Sequence, residues 1–136
     1  MLSQPSTQLG ISLQLNDDFE TALLRVTDAL KTEGFGILTE IDVKATLKKK
    51  IDVDFRPYKI LGACNPALAH RALQAAPEIG LMLPCNVTVS QEDGFCQISI
   101  IDPIVMSDFI QHPALSPIAQ DAKAKLERVA ALLEKN

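Results

Sequence analysis

A chain of 136 residues, 47% hydrophobic and 22% charged, has material for one packed core and not for two, so a single domain over residues 1–136 is expected. Its net charge of −4 argues against a nucleic-acid partner, which would need clustered Lys and Arg, and no apolar run approaches the roughly 20 residues of a membrane span. Three cysteines, an odd number, with neither a basic start nor an apolar stretch at residues 1–5, point to a reducing compartment, the cytoplasm, and to free thiols.

Leu9, Ile11, Leu13 and Leu15 alternate with Gly10, Ser12 and Gln14, the period of a half-buried strand. Asn16 is placed to cap a helix, with Asp17, Asp18 and Glu20 near its positive end. Phe19, Ala22, Leu23, Val26, Ala29 and Leu30 then form one apolar stripe, and Gly34 stops the helix. Residues 35–41 read as a second strand. Asp42 caps a short helix running to about Lys50, whose basic run Lys48-Lys49-Lys50 is its solvated end, and Asp52-Val53-Asp54 turns the chain outward.

Residues 58–63 read as a third strand. Asn65-Pro66 then opens a helix, because Asn accepts from a free N–H and Pro lacks the N–H that would be orphaned. Leu68, Ala69, Ala72 and Leu73 pack this helix as far as about Ala75, and Pro77 ends it. Residues 87–90 and 95–101 are two strands around Gln91-Glu92-Asp93-Gly94, where Asp-Gly signals a hairpin. Pro103 leaves the sheet, a short helical turn is expected over 104–110, and Ile118, Ala122, Leu126, Val129, Ala130 and Leu133 give the last amphipathic helix. The order β-α-β-α-β-α-β-β-α predicts an α+β sandwich with a mostly antiparallel sheet.

One feature asks for chemistry. Two Cys-Asn dipeptides, each beside a proline, stand at the ends of apolar segments: Tyr58-Lys59-Ile60-Leu61-Gly62-Ala63-Cys64-Asn65-Pro66 and Gly80-Leu81-Met82-Leu83-Pro84-Cys85-Asn86-Val87. At these segments and at Gly34-Phe35-Gly36 the chain closely resembles the domain of unknown function 302 family, from about Phe19 to the C-terminal helix. The resemblance implies a small cytoplasmic protein of TATA-box-binding-protein-like α+β fold, with a curved sheet, helices on one face, and a homodimer. It supplies no activity, and a shared fold does not carry DNA binding to an acidic chain.

Cys64 precedes a helix start, a setting that favours a thiolate, and Cys85 leads into a strand. The two thiols approach each other if their strands are neighbours; the plain alternative is two small buried side chains at tight turns, with Asn65 and Asn86 bonding backbone. Tyr58, Ile60, Gly62 and Cys64 share strand parity, so Gly62 is expected to leave an open spot beside a phenol and a thiol. Asp42, at another strand–helix junction, adds a carboxylate or serves only as a cap. Cys96 alternates with Ile98 and Ile100 and should be inert core.

No cofactor or metal is expected. The four close ligands of a structural zinc site are missing; His70 reads as a surface or helix-packing group, and His112 precedes Pro113 in a loop. A softer ion held by two thiolates, such as copper(I), needs fewer ligands and stays open. Hydrolase and nucleotide motifs are missing too, although a triad of Cys64 or Cys85 with His70 and Asp42 would leave no sequence signature.

Three functional readings follow. The first is a small-ligand binding or sensing module built on Cys64, Asn65, Cys85 and Asn86, with Tyr58 and Asp42 nearby. The second is a thiol enzyme or redox protein using Cys64 and Cys85. The third is a structural or interaction protein with no small-molecule site. A homodimer is expected in each, because Tyr58, Ile60, Val87, Val89 and Phe95 are read as one apolar row too large to face water.

Overall fold

The computed structural model of the chain describes residues 9–135; the reading of residues 1–5 lies outside them. Five strands and five α-helices follow in the order β1 (Gly10–Leu15), α1 (Phe19–Lys31), β2 (Gly36–Asp42), α2 (Val43–Ile51), β3 (Tyr58–Cys64), α3 (Pro66–Ala75), β4 (Cys85–Gln91), β5 (Cys96–Ile101), α4 (Pro103–Phe109) and α5 (Leu115–Glu134), with a 3-10 helix at Pro77–Met82 between α3 and β4. The expected order holds with two additions, that 3-10 segment and α4. The turn expected over 104–110 is a helix in its own right, because Pro103 fits a first turn and Asp102 accepts the Ile104 N–H at 2.9 Å.

The strands lie in the order β1-β5-β4-β3-β2, and each neighbouring pair is antiparallel. Registry places Leu13 opposite Ile98, Ile98 opposite Val89, Val87 opposite Ile100, and Leu61 opposite Val87. These side chains form one buried face, on which α1, α3 and α5 lay Val26, Leu30, Leu68, Leu126 and Val129. Each fully buried aliphatic side chain contributes about 1.5–3 kcal/mol of transfer free energy, so this α+β layer carries most of the stability.

Two expectations need correction. Asp18, not Asn16, caps α1: its carboxylate accepts the Thr21 N–H at 2.8 Å, and those bonds hold its pKa below the ordinary value. Both residues suit a cap, and the entry is fixed from a distance, by Arg25 gripping Asp17 while also donating to the Leu133 carbonyl at 2.9 Å. The apolar row also divides. Lys59 and Leu61 stand opposite Val89 and Val87, whereas Tyr58 and Ile60 stand opposite Ser90 and Thr88. Val87 and Val89 are therefore core, Tyr58 and Ile60 lie on the other face, and Phe95 precedes β5. That other face is largely polar on its β1 side, where the Ser12 and Ser99 hydroxyls meet at 3.1 Å and Thr88 lies beside Ser99.

Candidate functional site

The site grows from one end of the sheet, where β3 finishes and β4 begins. Asn65 caps α3, accepting the Leu68 N–H at 3.3 Å, while its amide nitrogen donates to the Glu33 carbonyl at 3.2 Å. Gly34 makes that reach possible. Its φ of +84° belongs to the left-handed region, and a Cβ there would stand 3.0 Å from the Asn65 amide nitrogen. Asn65 thus joins the end of α1 to the start of α3, and both ends of its amide are engaged.

Cys85 opens β4 opposite Ala63, directly after the cis peptide between Leu83 and Pro84. Gly62 lets this corner close. A Cβ on it would meet Thr39 Oγ1 at 2.1 Å and Pro84 Cγ at 2.7 Å. The spot expected to lie open beside Gly62 is therefore filled by Thr39 and the Pro84 ring.

Cys64 and Cys85 both line a cavity of about 320 Å3 between the sheet end and the helices. Phe35 and Ala63 form its sheet side, Leu68 and Ala72 its α3 wall, Ile118 and Ala122 its α5 wall, and Met106 reaches in from α4. Burial is the main cause that pushes the Cys85 thiol from an ordinary value of about 9 up to about 11, with the neighbouring Cys64 adding to it. At neutral pH Cys85 is a thiol, not a thiolate. Cys96 lies elsewhere, fully buried, and burial followed by nearby Asp17, Asp18 and Glu92 raises its pKa as well.

Of the six residues singled out from the sequence, Cys64, Asn65 and Cys85 meet at this cavity. Asn86 does not: it is exposed, paired with Gly62 in the next register position. Tyr58 lies at the other end of β3, roughly 20 Å along the strand, where its ring and that of Phe55 are 6.1 Å apart and the Arg56 guanidinium sits 4.7 and 5.8 Å from the Phe55 and Tyr58 ring centres. Asp42 shares that far end and caps α2, accepting the Ala45 N–H at 2.9 Å. A triad of Cys64 or Cys85 with His70 and Asp42 does not assemble, since neither His70 nor Asp42 lines the cavity. Among the described residues, no three His, Cys, Asp or Glu side chains stand together as a metal ion would need.

The walls from α4 and α5 had no place in the sequence reading. A signal for them exists: Ala69 and Ala72 on α3, and Ala119 and Ala122 on α5, all line the cavity at three-residue spacing. Where two helices meet through alanines over a sheet, the missing side-chain volume leaves a slot.

The family model described as "Domain of unknown function DUF302" matches residues 11–133 of the chain. The chain is also similar to a solved structure, that of an uncharacterized conserved DUF302 protein from Bacillus stearothermophilus, with a TM-score of 0.82 and 32% sequence identity over 94% of this chain and 98% of that one. No curated protein matches it.

Proposed function

We propose that this chain, which belongs to the DUF302 family, is a small-ligand binding or sensing module whose site is the cavity between Cys64 and Cys85. The observation that carries the reading is the cavity itself, about 320 Å3 with both cysteines in its wall, within the size range of small-molecule sites. An apolar hollow of that size beside an otherwise close-packed core is better explained by an occupant than by poor packing.

The thiol-enzyme and redox reading is disfavoured by the same residues. Cys85 holds its proton to about pH 11, Asn65 is tied at both ends to backbone groups of α1 and α3, and no histidine or carboxylate among the described residues lines the cavity to act as a base.

The working form is proposed to be a cytoplasmic homodimer. Three free cysteines suit a reducing compartment. The dimer draws its support from α2, a nine-residue helix that buries none of its residues, with Ile51 at its end and Val53 just beyond it both exposed. A helix this short is marginal without a packed face. Native mass spectrometry of the full chain from its own host tests the ligand reading. The expected result is an organic molecule that leaves on denaturation; bare chain alone, across several growth conditions, refutes it.

A further inference from the structure

We infer that the ligand is a neutral, largely hydrocarbon molecule of about twelve non-hydrogen atoms, carrying at most one weak hydrogen-bonding group. This rests on the ligand-binding reading and narrows it from the chemistry of the wall. Among the described residues, no Lys, Arg, His, Asp or Glu lines the cavity. A charged ligand would therefore lose its hydration and find no counter-charge, at a cost of several kcal/mol.

The polar groups that do line it are few, and most are occupied. The Asn65 amide is used at both ends, by Leu68 and Glu33. The Ser107 hydroxyl spends its proton on the Ile104 carbonyl at 2.9 Å and retains only acceptor capacity. What remains is that oxygen, one further Asn65 N–H and the two cysteines, of which Cys85 stays protonated at neutral pH. Thiols are weak donors and soft, polarisable contacts that favour ring edges. A single hydroxyl, ketone or ether on the ligand would satisfy them; an ammonium or carboxylate would not.

Size follows by comparison. An engineered apolar cavity of 150 Å3 stays dry and takes benzene, with its six carbons. A cavity of about 320 Å3 is about twice that, which gives roughly twelve non-hydrogen atoms. The alanines of α3 and α5 shape it as a slot between two helices, and a flat two-ring molecule fits such a slot better than a compact cage.

The test is calorimetric titration of the full chain with 2-acetylnaphthalene, 2-naphthol, 2-naphthoate, 2-naphthylmethylammonium and benzene. The neutral two-ring probes are expected to bind roughly a hundredfold more tightly than either ion, with benzene well behind them. Ala119→Phe, or Ala69→Leu should that variant fail to fold by circular dichroism, is expected to abolish the binding. Ions that bind as tightly as neutral probes, and are still blocked by the filled variants, overturn the ligand class while leaving the binding reading intact. Benzene as the best ligand overturns the size. No binding by any probe, or binding that the filled variants leave unchanged, overturns both.

Discussion

Replacing Gly62 by Ala tests the corner on which Cys85 depends. The new Cβ would stand 2.1 Å from Thr39 Oγ1 and 2.7 Å from Pro84 Cγ. Thr39 is exposed and can swing its hydroxyl to another rotamer. The Pro84 ring has no such freedom and must retreat by roughly 0.7 Å to regain ordinary contact. Overpacking of this kind costs about 1–3 kcal/mol, and the stiffer unfolded chain offsets about 0.4–1 kcal/mol of it. The net loss is about 1–2 kcal/mol, which for a domain of this length lowers Tm by roughly 3–8 °C. Thermal and urea unfolding of Gly62→Ala, alone and with Thr39→Ala added to it, separates the two contacts. Thr39→Ala in the Gly62→Ala background should recover little of the loss, because the Pro84 ring still stands against the new Cβ. A Gly62→Ala protein with unchanged or higher Tm would show that the ring does not press on Gly62, and the account of how Cys85 is held would fall with it.

Asn65→Ala removes both a helix cap and the bond to Glu33, and should cost about 2–3 kcal/mol by urea unfolding; Asn65→Asp keeps the cap acceptor and should lose less than half as much. Because burial raises the Cys85 pKa to about 11 in the folded chain, its contribution is fully present below about pH 9 and lost as pH rises toward 11, at most roughly 2–3 kcal/mol. Cys85→Ala should be less sensitive over that window, and identical slopes in the two proteins would rule the linkage out. Light scattering at micromolar concentration should give about twice the 14.8 kDa chain mass, with Ile51→Asp shifting it toward monomer; 14.8 kDa for the unaltered chain contradicts the dimer.

The parts that were legible from the sequence are those written locally. Leu13 with Leu15 and Ile98 with Ile100 declare their strands by alternation, and Asn65-Pro66 declares its helix start because cap and first turn are neighbours in the chain. Parity across strands is not local. Whether Tyr58 faces the same side as Val87 depends on the registry of β3 against β4, which no single segment encodes, and the apolar row failed for that reason. Strand parity groups Tyr58 with Cys64, and a strand–helix junction groups Asp42 with them. A strand has two ends, however, and the antiparallel β2–β3 pair puts Asp42 and Tyr58 at one and Cys64 at the other. Met106 and Ile118 close the cavity from helices far along the chain, a placement that only tertiary packing decides.

The sheet order also sets a timetable for folding. Strands β2, β3 and β4 each pair with the next strand in the chain, so each new strand can zip onto the last at short loop-closure cost. The first strand has no such neighbour. Its partner is β5, and the Ser12–Ser99 contact spans 87 positions; α5, later still, packs over it. On a chain emerging from the ribosome, residues 10–15 must therefore wait until residues 96–101 have been synthesised, and β5 keeps a bare edge until they return. That long-range step raises the contact order of the fold and makes docking of β1 the natural slow phase. Before it is complete, the unpaired edge of β5 is where two nascent chains would most readily stick together.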